Sequence, residues 1–110
     1  MHLPNGDRAV VEISKLRDYC LSQTHPRGRH KARVFESALG LTHLDATRLQ
    51  ASLLEAARTA EVELGDRDSY GQRYVLDFPM TGPVKTVAVR SCWIVLTGED
   101  APRLTSCWVL

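Results

Sequence analysis

The stretch VKTVAVRSCWIVLTGEDAPRLTSCWVL, residues 84–110, decides the fold class because it contains two strands and the turn between them. Both strands are rich in β-branched and aromatic residues, and the segment GEDAP between them carries Gly, Asp and Pro, which favour turns. Strands joined by so short a turn are expected to pair as an antiparallel hairpin. The triplet Ser-Cys-Trp stands once in each strand, at 91–93 and 106–108, and these triplets contain both tryptophans of the chain.

The repeated triplet suggests a register for this hairpin. Side chains alternate along a strand, so Ser91 and Trp93 share one face and the cysteine between them lies on the other. If the turn is centred near residues 99–100, Ser91 lies across from Trp108, and Trp93 lies across from Ser106. We therefore expect one patch of Ser and Trp side chains, and we expect the opposite, cysteine-bearing face to pack on helices. A shift of one residue in the pairing would divide the patch.

The residues before the hairpin carry the helical spacing of apolar side chains. They predict a short helix over residues 15–21, a second within HKARVFESALG (30–40), which ends at the glycine, and a third over 43–59. Thr42 and Asp45 resemble a capping box at the start of the third helix. That helix is expected to bury its leucines, including Leu44, Leu49 and Leu53.

Between the third helix and the hairpin, the periodicity changes to the alternation of strands. AEVELG (60–65) and RYVLDFPM (73–80) predict two strands, and DRDSYGQ (66–72) predicts a turn-rich loop between them. Helices followed by strands are typical of the α+β class. We expect two to three N-terminal helices followed by a four-stranded antiparallel sheet, with the helices on one face, in one domain over residues 1–110.

Composition and charge exclude several classes of protein. The chain has 110 residues and a net charge of +1, so no overall field draws it to nucleic acid or to an anionic membrane. No apolar run reaches transmembrane length, and MHLPNGDRA does not resemble a signal peptide, so we expect a cytoplasmic protein without a membrane partner. The three cysteines lack CxxC spacing and are odd in number. We expect them to be reduced and buried, and we expect neither a metal site nor a cofactor.

The segment HPRGRHKAR (25–33) contains four lysine or arginine residues, two histidines and no acid. Proline and glycine predict a turn that leads into a helix, and the first turn of a helix binds anions through free N–H groups. The segment therefore predicts either an anion site or a solvated basic loop. The candidate anion ligands are His25, Arg27, Arg29, His30, Lys31 and Arg33. Of these, His25 and His30 are also the candidate acid–base groups.

The Ser/Trp patch also has two interpretations. The aromatic rings could pack under a helix, as strand aromatics usually do, with the serines as spacers. The patch could instead be the open face of the sheet, where Trp93 and Trp108 stack on bases and Ser91 and Ser106 hold phosphate oxygens. Convergence of the basic segment with the Ser/Trp strands would favour the second interpretation.

Several motifs together resemble a widespread bacterial domain family of unknown function. The chain has KLRDYCL (15–21), HPRGRHKA (25–32), YGQRY (70–74) and PRLTSCW (102–108). These look like the family pattern K-L-x-D-Y-x-L, H-P-x-G-x-x-K-A, Y-G-x-x-Y and P-R-x-x-Thr-x-Tyr. The resemblance extends over most of the chain, but it implies no particular activity.

The order of elements is also similar to the barnase–EndoU–colicin–RelE superfamily of small, metal-independent ribonucleases, many of them bacterial toxins. That resemblance implies an RNA site on the sheet face away from the helices. It implies cleavage by the ribose 2′-hydroxyl, with His25 as base or acid, His30 as an alternative acid and Lys31 as stabiliser of the charged phosphorane. Ser91 and Ser106 stand where Thr is expected and would anchor phosphate, whereas Trp108 stands where Tyr is expected.

Two functions remain open from the sequence. One is a ribonuclease toxin domain that binds RNA through Arg27, Arg29, Arg33 and the two tryptophans. The other is a non-catalytic module that uses the aromatic patch to bind a protein, such as an antitoxin or immunity protein of a bacterial conflict system. An RNA partner and a cognate neutralising protein are therefore both expectations.

Overall fold

In a computed structural model that describes residues 1–110, three helices come before a four-stranded antiparallel sheet, which confirms the predicted α+β class. A short 3₁₀ turn, Gly6–Arg8, comes first. The first helix, α1, joins an α-turn, Ile13–Lys15, to a π-helical turn, Leu16–Cys20. Helix α2 is Arg29–Leu39, and α3 is Ala46–Thr59, preceded by the 3₁₀ turn His43–Asp45. None of these helices has the length and apolar character needed to cross a membrane.

The sheet follows the order of the sequence, β1-β2-β3-β4, and every neighbouring pair is antiparallel. The strands are β1 Glu63–Asp68, β2 Gly71–Thr81, β3 Thr86–Leu96 and β4 Arg103–Val109. The prediction of a turn-rich loop over residues 66–72 is wrong, because β1 continues to Asp68 and only residues 69 and 70 form the turn. Strands β1 and β4 are the two edges of the sheet, and α2 packs against β4 and β3.

Local sequence explains where α2 and α3 begin and end. Gly40 has a φ of 69°, which glycine adopts without strain, and its N–H bonds the Glu36 carbonyl to end α2. Thr42 and Asp45 form the predicted capping box before α3. Leu49 and Leu53 are buried as expected, but Leu44 is 83% exposed because it lies in the 3₁₀ turn, out of phase with the buried face of α3.

The hairpin of β3 and β4 is interrupted by a β-bulge at Thr105. Trp93 pairs with Leu104, but Cys92 pairs with Ser106, so Thr105 is the extra residue between the two pairs. Its hydroxyl donates a hydrogen bond to the Cys92 carbonyl at 3.0 Å. Beyond the bulge, every side chain of β4 changes face relative to an uninterrupted ladder.

The predicted pairing of Ser91 with Trp108 is wrong, and the bulge places the two triplets on different faces. Ser91 pairs with Cys107, and Trp108 pairs with Arg90. Ser91 therefore lies on the helix-covered face, whereas Ser106 and Trp108 lie on the open face of the sheet. The two triplets do not form one patch.

Ser91 and Trp93 belong to the hydrophobic core, and both are fully buried. The indole Nε1–H of Trp93 donates to the Ser91 hydroxyl at 2.8 Å, and that hydroxyl donates to the Leu76 carbonyl at 2.8 Å. Each polar group is thus satisfied without water. The expected roles of Ser91 in anchoring phosphate and of Trp93 in stacking on bases are wrong for this structure, because neither side chain reaches the surface. The expectation that the cysteine-bearing face of β3 packs on the helices is wrong for the same reason.

Replacing Ser91 by Ala should lower the free energy of unfolding, because the buried indole N–H of Trp93 would lose its acceptor. An unsatisfied buried donor costs about 1–3 kcal/mol. Chemical denaturation monitored by tryptophan fluorescence measures the difference. Ser106→Ala is the matched control, since Ser106 is half-buried and its hydroxyl makes no hydrogen bond, and surface changes usually stay within about 0.5 kcal/mol. Equal destabilisation by the two variants would contradict the buried network.

Candidate functional site

The basic segment forms a tight turn that His25 holds in place. The Nδ1 atom of His25 accepts hydrogen bonds from the backbone N–H groups of Arg27 at 3.1 Å and Gly28 at 3.3 Å. The His25 carbonyl accepts from the N–H of Arg29, at the start of α2. Because Nδ1 is an acceptor here, the ring proton lies on Nε2, which leaves that atom as a donor. His25 therefore closes the turn before α2, and only its Nε2–H remains for another partner.

The same turn packs closely against α1. A β-carbon placed on Gly28 would lie 2.3 Å from the Tyr19 carbonyl oxygen, so only glycine fits at this position. The His25 ring meets the Tyr19 ring edge to face, with the ring centroids 4.6 Å apart. The sequence HPRG thus has a structural explanation: it closes the turn before α2 and attaches that turn to α1.

Lys31 joins α2 to the open face of the sheet. Its Nζ lies 4.3 Å from the centroid of the Trp108 ring, which is a cation–π contact. Ser106, two residues earlier in β4, is on the same open face as Trp108. The basic segment and the second Ser-Cys-Trp triplet therefore converge at the edge strand, but the first triplet is not part of this arrangement.

A cleft of about 470 Å³ lies between α1 and β4. We call it the β4 cleft, and its lining residues are Glu12, Ser14, Lys15, Asp18, Tyr19, Thr105 and Ser106. The Nζ of Lys15 donates to the Leu104 carbonyl at 3.2 Å and so ties the two walls together next to the bulge. The cleft is open to solvent, and it brings hydroxyl, ammonium and carboxylate groups within one surface.

The charges in and around the β4 cleft are mixed. The side chain of Asp18 accepts two hydrogen bonds from Arg17, which hold the pKa of that carboxyl below its ordinary value. Glu12 is less engaged, since its nearest cation, Arg103, is 4.0 Å away. The cleft therefore contains one carboxylate with a close cationic partner and one that is largely free.

Of the predicted ligands, only Ser106 lines the cleft. Arg27, Arg29, His30 and Arg33 are exposed on the turn and on α2, and none of these arginines forms an ion pair with a carboxylate. These free cations give the surface next to Lys31 a positive charge. They fit both the anion-binding interpretation and that of a solvated loop.

Sequence reasoning missed every residue that lines the β4 cleft except Ser106, namely Glu12, Ser14, Lys15, Asp18, Tyr19 and Thr105. Lys15, Asp18 and Tyr19 are three and four residues apart, a spacing that places them on one helical face. That spacing is a usable signal for a polar helical face, whereas in the sequence analysis this segment serves only to predict a helix. Thr105 had no such signal, because nothing in a single strand predicts which residue becomes the bulge.

A larger depression on the protein, about 700 Å³, contains none of the predicted site residues. It lies between α1 and the start of α3 and is lined mainly by polar side chains, among them Arg17, Gln23 and His43. Size alone would favour it, but its bonded charged pair, Arg17 with Asp18, is exposed, and none of the predicted site residues lines it, whereas Ser106 lines the β4 cleft. We therefore place the candidate site at the β4 cleft.

The cysteines differ in exposure, and all three carry free thiols. Cys20 and Cys107 are buried as expected, but Cys92 is only half-buried, because it lies on the open face of the sheet. The expectation that Cys92 is buried is therefore wrong. Partial burial raises the pKa of the Cys92 thiol above its ordinary value. No group of three or more His, Cys, Asp or Glu side chains is arranged to hold a metal ion.

A thiol reagent should modify Cys92 in the folded protein and spare the other two cysteines. The thiolate is the reactive form, so the raised pKa of Cys92 should make its labelling at pH 8 slower than that of free cysteine. The rate should increase as the pH rises through that pKa. Labelling followed by peptide mass mapping identifies the modified residue, and Cys92→Ser should abolish the reaction until denaturant is added. Labelling of Cys20 or Cys107 at the rate of Cys92 would contradict the burial pattern.

Two comparisons place the chain among known proteins. The model of a family described as a domain of unknown function, DUF6883, matches residues 2–110, so the chain belongs to that family. This confirms the membership of a domain family of unknown function that the motifs predicted. No curated protein matches the sequence.

A solved structure shares the fold. It is a chain from a contact-dependent growth inhibition toxin–immunity protein complex of Klebsiella pneumoniae 342, with a TM-score of 0.68 and 17% sequence identity. The match covers 92% of this chain and 99% of that chain. The likeness therefore extends over the helices and the sheet together.

Proposed function

We propose that this DUF6883 chain is a toxin domain of a bacterial conflict system and cleaves RNA at the β4 cleft. The observation that carries the proposal is the contact of Lys31 with Trp108, because it brings the basic segment to the open face of the sheet beside Ser106. A phosphate at Ser106 would be close to a cation, and a base could stack near Trp108. The same contact supports a nuclease over a flat binding surface, because the basic segment meets the second Ser-Cys-Trp triplet there.

The proposed reaction is transesterification within the RNA strand. The 2′-hydroxyl loses its proton to a base, and its oxygen bonds to the adjacent phosphorus. The bond from phosphorus to the 5′-oxygen breaks, and that oxygen takes a proton from an acid. The products are a 2′,3′-cyclic phosphate and a 5′-hydroxyl. Lys31 stabilises the added negative charge of the phosphorane, and the Ser106 hydroxyl donates to a phosphate oxygen.

The hydrogen bonds of His25 narrow its role in this reaction. Its Nδ1 lone pair is occupied by two backbone N–H groups, so the ring cannot accept the 2′-hydroxyl proton through that atom. Its Nε2–H can donate a hydrogen bond to a phosphate oxygen, but it does not supply a proton to the leaving 5′-oxygen, because a ring already deprotonated at Nδ1 would become an imidazolate. We therefore assign His25 to phosphate binding and the exposed His30 as the acid.

The carboxylates of the cleft are the acceptors that can serve as base. The pKa of Asp18 is lowered by Arg17, which makes that carboxylate a weaker base. Glu12 has no close cationic partner, and it shares the cleft with Ser106. We assign proton removal to Glu12, in place of the base role that the sequence gave to His25.

A second candidate function is the binding of a cognate protein, as an immunity protein or antitoxin binds its toxin. The fold it shares with a chain of a toxin–immunity complex supports a place in such a system on either side. The unpaired cations Arg27, Arg29 and Arg33 would then meet an acidic protein surface. Expression of the chain alone in bacteria separates the two functions, because a ribonuclease domain should arrest growth and degrade RNA, whereas a binding module should do neither.

Lys31→Ala should reduce RNA cleavage by about 100- to 1,000-fold, the loss typical when one group that stabilises transition-state charge is removed. Cleavage of a fluorescent oligoribonucleotide panel, with chelator present throughout, measures the rate. Lys85→Ala is the matched control, since Lys85 is an exposed lysine in the turn between β2 and β3. The assignment fails if Lys31→Ala cleaves like wild type or if Lys85→Ala loses as much activity.

His25→Asn and His25→Ala separate the two roles of this side chain. The amide oxygen of Asn can accept the backbone N–H groups as Nδ1 does, but Asn has no group at the position of Nε2. Both variants should lose about 100- to 1,000-fold in cleavage rate, because both remove a hydrogen-bond donor to the charged phosphate. Only His25→Ala should also lose thermal stability, because the N–H groups of Arg27 and Gly28 lose their acceptor. Full activity in a folded His25→Asn variant would leave His25 only its role in the turn before α2.

Trp108→Ala should weaken RNA binding by about 1–3 kcal/mol if the ring stacks on a base. Fluorescence anisotropy with a 2′-deoxy substrate, which binds but cannot react, measures the affinity without cleavage. The affinity should fall as salt rises, because phosphate contacts release counterions. A Trp108→Ala variant that is folded by circular dichroism and binds like wild type would remove the stacking role.

A further inference from the structure

A row of charged and aromatic side chains crosses the open face of the sheet beside the β4 cleft. Asp77 of β2 pairs with Arg90 of β3, and Arg90 pairs with Trp108 of β4. These three residues lie on the same face of the sheet as Ser106. Lys31 extends the row beyond Trp108, because its Nζ lies 4.3 Å from the centroid of that ring. Trp108 therefore has one cation from α2 and another from β3 as neighbours.

Arg90 is held in place by Asp77, but it does not use all of its donors there. Its Nε and Nη2 atoms donate hydrogen bonds to the two carboxylate oxygens of Asp77, both at 2.9 Å. A guanidinium has five N–H groups, and only these two of Arg90 donate hydrogen bonds within the protein. The Arg90 side chain is 38% exposed, so an anion from solvent can reach the other donors. A guanidinium that a carboxylate already holds loses less side-chain freedom when it binds a ligand.

The position of Arg90 fits a phosphate other than the one assigned to Ser106. Directly paired residues on one face of a sheet have β-carbons about 4.5–5.5 Å apart, and diagonal neighbours are about 7–8 Å apart. Arg90 is the direct neighbour of Trp108 and the diagonal neighbour of Ser106. Every nucleotide inside an RNA strand has a phosphate on each side of its ribose. A base that stacks at Trp108 thus brings one phosphate to Ser106 and Lys31, and the other phosphate comes within reach of Arg90.

We propose that Arg90 binds the RNA phosphate next to the one that is cleaved, so that Trp108 lies between two phosphate contacts. This inference rests on the proposed nuclease function and adds a substrate-binding residue to it. The guanidinium contacts no reacting atom, so it stabilises the bound strand and the transition state equally. Loss of Arg90 should therefore raise KM and leave kcat nearly unchanged.

The salt dependence of binding tests this contact, because each phosphate that a cation neutralises releases counterions from the strand. A fluorescent single-stranded oligonucleotide with 2′-deoxy sugars binds without reacting, and its anisotropy gives Kd at a series of salt concentrations. For Arg90→Ala, the slope of log K against log salt should become shallower by about 0.7, the value for one phosphate of a single strand. The affinity at low salt should fall about 10-fold, as for the loss of a hydrogen bond to a charged group. Arg90→Gln, which keeps most of the side-chain length, should show the same losses and replaces Arg90→Ala if that variant does not fold.

Two control variants separate phosphate binding from overall charge and from sheet stability. Arg73→Ala removes an equal charge from the same face, where Arg73 forms an ion pair with Asp68. Arg73 pairs with Ile94, which lies about 13 Å along β3 from Arg90. Asp77→Asn breaks the ion pair of Arg90 but keeps the guanidinium. Both controls should retain the wild-type slope, and circular dichroism should show every variant folded.

Several outcomes overturn the assignment of Arg90. They are a wild-type slope in a folded Arg90→Ala or Arg90→Gln variant, an equal loss of slope in either control, or a lowered kcat with unchanged KM in RNA cleavage by Arg90→Ala. In each of these cases the wild type still binds the strand, so the nuclease proposal stands. A wild type that does not bind the oligonucleotide even at low salt overturns the proposed function, and the assignment of Arg90 fails with it.

Discussion

The extra residue in β4, Thr105, determines which of the following β4 side chains face solvent and which face the core. Without the bulge at Thr105, the pairing of Trp93 with Leu104 would continue as Ser91 with Ser106, and both triplets would face the helices. The bulge reverses the phase, so Cys107 enters the core and Ser106 and Trp108 reach the open face. The contact of Lys31 with Trp108 exists only in this phase. The candidate site thus depends on one irregularity in an otherwise regular ladder.

The two triplets illustrate how identical local sequence acquires different roles. In β3, the serine accepts a hydrogen bond from the indole two residues later, and both side chains lie in a water-free core. In β4, the serine lines a cleft, and the indole lies under an ammonium group. A buried indole needs an acceptor because its N–H has left water. The first triplet is therefore a packing unit, and only the second is a candidate for chemistry.

How well the sequence predicts a structural feature depends on how far apart in the chain the residues lie that determine it. The capping box at Thr42, the end of α2 at Gly40 and the alternation of the strands are local, and each was predicted correctly. The π-helical turn, the continuation of β1 to Asp68 and the bulge at Thr105 depend on neighbours distant in sequence, and each was missed. The basic segment is enough to predict Lys31 as a site residue. The face of Trp108 was predicted wrongly, because a shift of one residue in the strand pairing moves a side chain to the other face of the sheet. From the sequence, the role of His25 in closing the turn before α2 could not be separated from an acid–base role, because the two differ in the hydrogen bonds of its Nδ1 atom.

At the edge strand β4, the protein's stability and its proposed function depend on the same residues. An uncovered edge presents unpaired N–H and C=O groups that can recruit other strands. Here the backbone of Val10 bonds the β4 edge at residues 103–104, and Lys15 of α1 donates to the Leu104 carbonyl. These few bonds cover an edge less completely than a fifth strand would, so a cleft remains between α1 and β4, and polar groups line it. The groups that prevent β4 from pairing with another chain are therefore also the groups that shape the site, and a substitution at either wall acts on folding and on binding together.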